Sequence, residues 1–248
     1  MKMKRIFILL LAAMLLLLSS SVYAGSGSQA KQADTLKQLG LFSGTDKGYQ
    51  LEAAFTRAQG TVMLLRLAGE ADDADRAKLK PAFKDVKASH WAAASIAYAV
   101  SKGYVKGTSS TAFAPDRLMT GKEFLTLINR LLGYPEATPA KAAELSQKNG
   151  LLTAATAKRL TTANPFLRGD MVEAAYSALL AKQAGSTRTL IQVLVEDKDA
   201  IAVDFAVASG LYQKPEKPSS SYIPKPGTDP MDAIEEAIRQ KLDEHSNR

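Results

Sequence analysis

The clearest pattern of hydrophobic and polar positions lies in residues 83–133. Apolar residues recur there at helical spacing in two runs, which are separated by a turn and a short extended loop. Gly103 ends the first run and Gly133 ends the second. Thr120 and Glu123 have the spacing of a capping box, in which a hydroxyl and a carboxylate satisfy backbone N–H groups at a helix start. The pattern predicts a helix, a loop and a second helix.

The same spacing occurs in two further places, which indicates an internal repeat. Thr56 precedes Gly69 by 13 positions, as Thr120 precedes Gly133. Gln59 completes the capping box of that earlier copy. A more divergent copy follows, in which Phe-Leu-Arg-Gly-Asp-Met aligns with the start of the second helix. The chain is therefore predicted to carry three modules, at residues 34–69, 83–134 and 140–182.

The N-terminal sequence predicts export. A basic start, an apolar run and the small residues before position 25 predict a signal peptide over residues 1–24. An uncleaved membrane anchor is the alternative, and the apolar run is short for one. The polar residues 25–33 predict a flexible leader, and the charged residues 70–82 predict a connector. No membrane contact is expected once the signal peptide is removed.

The C-terminal part predicts a cap and a tail. Residues 187–213 have the pattern of two short helices, which would cover an exposed end of the module array. Residues 214–230 are rich in Pro and Ser and predict a linker. Residues 231–246 predict a short amphipathic helix, for which binding of a protein partner and a loosely docked, frayed tail are both open.

Composition excludes several functional classes. The chain has no cysteine, which disfavours a disulfide-stapled exported scaffold. Its net charge is +7, without a basic stripe interleaved with aromatic residues, so nucleic-acid binding is not expected. His90 and His245 are the two histidines and lie far apart in sequence. We therefore predict no catalytic residue, no metal site and no cofactor.

The start of each second helix is the place where binding chemistry is expected. A helix N-terminus exposes N–H groups and carries a partial positive charge, so it favours anions. Arg57 and Arg168 stand beside two of these starts, and a guanidinium suits a carboxylate or a phosphate. In the middle module Gly121 takes the same place. The pattern predicts grooves between modules that recognise an acidic group of a polymer.

Ten residues of the middle module match a known family pattern in type and order. They are Phe83, Asp85, Val86, Trp91, Gly103, Gly107, Phe113, Pro115, Thr120 and Glu123. The segment closely resembles an S-layer homology module, whose pattern is F-x-D-V, a Trp at the first helix, a G-x-x-x-G step, F-x-P and T-R-A-E. The resemblance implies a mainly α fold, in which three helix–loop–helix modules form a pseudo-threefold bundle with a flexible C-terminal tail. The first and third modules are divergent.

The resemblance also implies a function. S-layer homology modules bind secondary cell wall polysaccharide, commonly pyruvylated at N-acetylmannosamine, in grooves between modules. The chain is thus expected to be secreted and attached without enzymatic activity to a Gram-positive cell wall. Residue by residue, the match nominates Gly44, Arg57, Asp85, Trp91, Gly107 and Arg168 as ligand-binding. Because Gly121 replaces an arginine and the outer modules lack a Trp, at least one groove is expected to be silent.

Structural alternatives stand beside these assignments. Trp91 could pack in the core, Asp85 could cap a turn, and Arg57 could be a solvated first-turn residue. Thr56 and Thr120 are interpreted as helix caps rather than ligand contacts. For the whole protein, the alternative is a protein–protein adaptor at the cell surface, whose modules keep their fold without binding glycan.

Overall fold

The computed structural model describes residues 20–215 and Arg239. Ten helices lie in this part of the chain. They are α1 Ser20–Gln38, α2 Arg57–Leu67, α3 Ala71–Ala77, α4 Ala93–Ser101, α5 Gly121–Leu131, α6 Ala142–Lys148, α7 Ala154–Thr162, α8 Arg168–Leu180, α9 Leu190–Glu196 and α10 Val203–Ala208. Extended pairing in the same residues is limited to isolated bridges, which confirms a mainly α protein. Within that part of the chain, no helix is both long and apolar enough to cross a bilayer.

The three modules close into a ring through their helices. The first helix of module 1, α1, packs against α8, the second helix of module 3. In the same way α4 of module 2 packs against α2, and α6 of module 3 packs against α5. In each case the first helix of one module packs against the second helix of the preceding module, and module 3 precedes module 1 in the ring. This confirms the pseudo-threefold bundle.

Three aromatic rings occupy the centre of the bundle. Phe55, Phe124 and Phe166 are buried, and their ring centroids lie 5.4 to 5.9 Å apart. Such tilted and edge-on pairs add to the stabilisation from burial alone. Backbone hydrogen bonds join the modules beside these rings: Phe55 N–H donates to the Phe166 carbonyl at 3.1 Å, and Met119 N–H donates to the Phe55 carbonyl at 2.8 Å.

The predicted capping boxes are present. At α2 the Gln59 side chain accepts from the Thr56 N–H at 3.0 Å, and the Thr56 hydroxyl accepts from the Gln59 N–H. Thr120 and Glu123 make the same pair of contacts at α5. Each cap contributes about 1 kcal/mol to helix stability. The two threonines therefore serve as structural caps.

Two segments predicted as flexible or connecting are helical. α1 runs through residues 25–33, where the sequence predicted a flexible leader, because Ala33 and Leu36 are fully buried in the core on which the helix packs. Tertiary packing of one face outweighs the polar composition of the rest. Residues 70–82 contain α3, which is held by fully buried Ala74. Cleavage after Ala24 stays a prediction.

The segment after module 3 contains α9 and α10, where two short helices were expected. Leu190, Ile191, Leu194 and Val195 of α9 are buried, and this helix packs against α8. The predicted linker over 214–230 and the amphipathic helix over 231–246 lie, apart from Lys214, Pro215 and Arg239, outside the described residues.

Candidate functional site

Arg57 and Arg168 occupy equivalent positions, as the first residues of α2 and α8. Arg57 Nε donates to the Phe113 carbonyl at 3.1 Å, and its guanidinium carbon lies 4.7 Å from the Phe113 ring centroid. Arg168 Nε donates to the Tyr49 carbonyl at 3.0 Å, and its guanidinium carbon lies 5.1 Å from the Phe42 ring centroid. Each arginine thus holds a loop of the next module through a charge-assisted hydrogen bond and an aromatic contact.

The two loops that receive these arginines are structural equivalents, although the family motif is recognisable in only one of them. Gln50 follows Tyr49 with a φ of 50°, and Ala114 follows Phe113 with a φ of 58°. In module 1 a Tyr and a Leu replace the Phe and Pro of F-x-P, so the motif is hidden. The spacing would have shown it, because Tyr49 precedes its cap threonine by seven positions, as Phe113 does.

The N-termini of α2 and α8 are not open anion sites, contrary to the prediction. The first two N–H groups of α2 donate to the carbonyls of Arg117 and Pro115, both at 2.9 Å. Those of α8 donate to the carbonyls of Ala53 and Leu51, at 2.9 and 2.8 Å. These donors are therefore used to join neighbouring modules. Any anion recognition at these places has to come from side chains.

A groove lies where module 3 meets module 1, and we call it groove A. It has a volume of about 350 Å³. Its lining includes Gly44, Gln59, Arg66, Trp91, Arg168 and Met171. Trp91 is 64% exposed, so the alternative that it packs in the core is wrong. Because α4 packs against α2, the tryptophan just before α4 is brought to the edge of this groove.

A second groove lies where module 1 meets module 2, and we call it groove B. It has a volume of about 310 Å³. Its lining includes Arg57, Gly107, Arg117, Glu123, Arg130 and Pro139. The repeat relates these positions to groove A: Arg57 corresponds to Arg168, and Arg130 to Arg66. Glu123 of groove B corresponds to Gln59 of groove A. Pro139 lies on the wall of groove B that corresponds to the Trp91 wall of groove A.

The arginines of groove B are engaged within the protein. Arg57 Nη2 donates to the Lys106 carbonyl at 3.0 Å, and its Nη1 lies 3.9 Å from Glu123 Oε1. Arg117 Nη2 lies 2.6 Å from the same carboxylate oxygen. Burial raises the pKa of Glu123, but the hydrogen bonds from Arg117 and from the Thr120 N–H outweigh it and hold the pKa below its ordinary value. Glu123 is therefore charged and paired at neutral pH.

The arginines of groove A make fewer contacts with the protein. Among the described residues, the hydrogen bond from Nε is the single one that the Arg168 guanidinium donates. Arg66 Nη1 donates to the Leu41 carbonyl at the long distance of 3.3 Å. Burial lowers the pKa of both arginines, although both stay protonated at neutral pH. Groove A therefore contains guanidinium N–H groups that can donate hydrogen bonds to an acidic ligand.

At the third module boundary, the position of the motif's arginine is packed against protein. Gly121 begins α5 there, and a Cβ at this position would lie 1.9 Å from the Leu160 carbonyl oxygen of α7. The chain comes this close because α7 replaces the loop that modules 1 and 2 have before the second helix. Glycine at the motif's arginine position is thus a packing requirement of the third boundary.

The nominated residues divide between the two grooves with one exception. Gly44, Trp91 and Arg168 line groove A, and Arg57 and Gly107 line groove B. Asp85 lines neither groove. Its carboxylate accepts hydrogen bonds from the N–H groups of Phe113, at 2.9 Å, and Ala114, at 2.7 Å, so it caps the loop that Arg57 holds. Its nomination as a ligand residue stays a prediction.

We expect Asp85→Asn to lower the free energy of unfolding by about 1 kcal/mol at neutral pH, because a charged acceptor is lost. The N–H of Phe113 above all holds the pKa of Asp85 below its ordinary value of 3.8. The contribution is therefore present above pH 3.8 and is lost as the pH falls through the lower folded-state pKa. Urea unfolding of both proteins should show a difference at neutral pH that disappears in strong acid. A difference that is independent of pH would contradict this role.

Comparison with known proteins bears on the middle module. The family model of the S-layer homology domain matches residues 82–125. The chain contains an S-layer homology domain. The match spans the F-x-D-V, Trp, G-x-x-x-G, F-x-P and capping-box positions of module 2, and it ends in the first turns of α5.

Three curated relatives match this chain over stretches that are longer than the S-layer homology match. A middle cell wall protein of Brevibacillus brevis is 30% identical over 159 residues, which is 60% of this chain and 14% of the relative. A surface layer protein of Brevibacillus choshinensis is 28% identical over 49% of the chain and 12% of the relative. A cellulosome-anchoring protein of Acetivibrio thermocellus is 32% identical over 43% of the chain and 23% of the relative. The matches thus cover less than a quarter of each of these relatives.

Proposed function

We propose that the chain attaches without covalent bonds to the surface of a Gram-positive bacterium, by binding an acidic secondary cell wall polysaccharide in its inter-module grooves. The proposed ligand carries a carboxylate, such as the pyruvate ketal that the S-layer homology resemblance implies. The role is that of a secreted, non-enzymatic anchor. Arg168, Trp91 and Gly44 would contact the polymer in groove A, and Arg57 and Gly107 would contact it in groove B.

One observation carries the proposal: an exposed tryptophan and two arginines with free donor capacity line the same groove. Trp91 offers an aromatic face on which a pyranose ring can stack. Arg168 and Arg66 offer guanidinium donors suited to a carboxylate. A sugar that carries an acid group needs both kinds of contact at once. The relatives named as cell wall, surface layer and anchoring proteins support the same location.

Gly44 and Gly107 support the proposal through the shape of the groove walls. A Cβ at Gly44 would lie 2.8 Å from the Gly48 carbonyl oxygen, and one at Gly107 would lie 2.4 Å from a Phe83 ring atom. Both loops are therefore built around glycine for internal packing. The same glycines leave bare backbone on the wall that a ligand would face.

Co-sedimentation with purified Gram-positive walls tests the proposal. Residues 25–248 are expected to pellet with walls that retain the secondary polymer and to stay in solution with walls stripped of it. A double variant with Arg57→Gln and Arg168→Gln is expected to lose pelleting. Arg76→Gln is the matched control, because this exposed arginine lies on α3 and pairs with Asp73. Thermal unfolding of the double variant shows whether it is still folded.

The outcomes separate two functions. Loss of pelleting in a folded double variant supports glycan attachment. Pelleting that is equal on intact and stripped walls overturns it. If the wild-type protein pellets with neither preparation, the adaptor function takes its place, and a protein partner has to be sought.

A further inference from the structure

Grooves A and B have the same framework but different chemistry. Groove A is lined by Arg66 and Arg168, and its capping-box residue is neutral Gln59. Groove B is lined by Arg57, Arg117 and Arg130, and its capping-box residue is Glu123, which pairs with Arg117. We propose that groove A is the stronger anion-binding groove and that Arg66 is its second ligand-binding cation beside Arg168. This inference rests on the proposed function and specifies the site that performs it.

Electrostatics at the capping-box position favours groove A. In groove B the Glu123 carboxylate lies 2.6 Å from Arg117 Nη2 and 3.9 Å from Arg57 Nη1. This carboxylate already occupies the arginine donors of groove B, so a ligand carboxylate would have to compete with it for them. Gln59 makes the same cap contact to the backbone with an amide, at 3.0 Å. Groove A thus keeps the helix cap without placing a negative charge beside its arginines.

The donor contacts of the equivalent arginines also differ. Arg57 uses Nε and Nη2 for two backbone carbonyls at 3.1 and 3.0 Å, and its side chain is 12% exposed. Arg168 donates from Nε alone to the described residues. Guanidinium groups have five N–H donors, and those without a protein partner are the ones that a ligand can use. Arg57 therefore mainly joins modules 1 and 2, whereas Arg168 joins modules 3 and 1 and keeps N–H groups that a ligand can use.

Arg66 lies in the last turn of α2 and lines groove A from the other side of the capping box. Its contact to the Leu41 carbonyl is long, at 3.3 Å, and it comes from Nη1. Its equivalent in groove B, Arg130, also donates one hydrogen bond, from Nε to the Ala137 carbonyl at 3.0 Å. What separates the two arginines is therefore the capping-box residue of their groove, which is neutral Gln59 beside Arg66 and charged Glu123 beside Arg130. The family pattern that nominated Arg168 contains no position for Arg66. It is the geometry of groove A, with Trp91 at the rim, that brings this arginine to the ligand.

The favoured ligand is a pyranose that carries one carboxylate. Two guanidinium groups in one groove of about 350 Å³ can share a single carboxylate or bind it from two sides. Trp91 would cover the sugar ring, and groove B presents Pro139 on the matching wall. A neutral sugar would gain the stacking contact and lose the charge-assisted one. Preference for the acidic sugar therefore depends on Arg66 and Arg168 together.

Titration with a soluble sugar tests the role of Arg66. The probe is pyruvylated N-acetylmannosamine, and the matched probe is N-acetylmannosamine without the ketal. We expect Arg66→Gln to weaken binding of the pyruvylated sugar about tenfold, because one charge-assisted contact is lost. Arg130→Gln, the equivalent change in groove B, is expected to alter it less than about twofold. Arg66→Lys keeps the charge and is expected to recover part of the affinity, which a purely structural role would not predict.

The results can separate this inference from the proposed function. If the wild-type protein pellets with polymer-bearing walls and Arg168→Gln weakens that binding, the proposed function stands. Equal effects of Arg66→Gln and Arg130→Gln in that case overturn the role of Arg66 and the preference for groove A. If the wild type binds neither sugar nor wall, both fall together. Thermal unfolding of each variant identifies any that lose binding because they do not fold.

Discussion

Gly121→Ala is expected to lower the free energy of unfolding by about 2–3 kcal/mol, although alanine is the better helix former. The added Cβ would lie 1.9 Å from the Leu160 carbonyl oxygen, which is backbone and cannot rotate away. Either α5 or α7 has to shift, and the rings of the central core pack beside them. Gly121→Arg, which would restore the family's motif, adds the same Cβ and is expected to be at least as harmful. Urea unfolding measures both.

Gly169→Ala is the matched control for that prediction. Gly169 also lies in the first turn of a second helix, and a Cβ there would first meet Gln29 Oε1 at 2.3 Å. That atom is the end of a flexible side chain, which can move. The control is therefore expected to cost less than about 1 kcal/mol once the gain in helix propensity is included. Equal losses at the two glycines would show that close approach to α7 does not determine the role of Gly121.

Trp91→Ala is expected to weaken binding to polymer-bearing walls about tenfold to fiftyfold without a change in fold. The side chain is 64% exposed in the free protein, so its removal leaves no cavity in the core. A ligand that stacks on it would lose a large aromatic contact. Trp91→Tyr is expected to retain most of the binding, because a smaller aromatic face remains. Quantitative co-sedimentation gives the affinities, and the thermal midpoint should stay within about 2 °C of the wild type.

Phe205→Ala provides the control for an exposed aromatic residue outside the grooves. Phe205 is 56% exposed and lies on α10. Its loss is expected to leave wall binding unchanged. If both variants bind walls as the wild type does, the exposure of Trp91 has another cause, and stacking is no part of the attachment.

Module 2 could be predicted in outline because local signals dominate it. The apolar spacing, the glycine turns and the Thr120–Glu123 capping box are all short-range features, and each has its expected counterpart in the structure. The order of three modules followed from spacing alone. Ring closure through α1 and α8 could not be derived from local pattern, because it joins residues from opposite ends of the described fold. It came from the family resemblance.

The helical leader and α7 illustrate what the sequence hides. Residues 25–33 are mostly polar and contain glycine, and their helix forms because α1 buries Ala33 at the end of this segment and Leu36 after it. α7 replaces a loop in a module whose motif residues are mostly lost, so no pattern pointed to it. In both cases tertiary packing decides between conformations that local propensity leaves nearly equal.

The sequence identified most residues of the candidate site, but it could not show which hydrogen bonds these residues make. Arg57 and Arg168 are equivalent in sequence, and their different hydrogen bonds depend on Lys106, Glu123 and the loops around them. Arg66 was missed, although it lies seven positions after Gln59 as Arg130 lies seven after Glu123. A comparison of the modules position by position would have shown that pair. What no sequence comparison supplies is which donors remain unused.

The pairing of α1 with α8 has a consequence for the order of folding. A chain that leaves the cell N-terminus first presents α1 long before residues 168–180 emerge, and the apolar side of α1 then has no surface to pack on. The ring of modules can close only after α8, the second helix of module 3, has left the cell. This step joins residues that are far apart in sequence, so it is slow compared with helix formation. Groove A is built at that same closing boundary. Groove A would thus form only after α8 has followed α1 out of the cell.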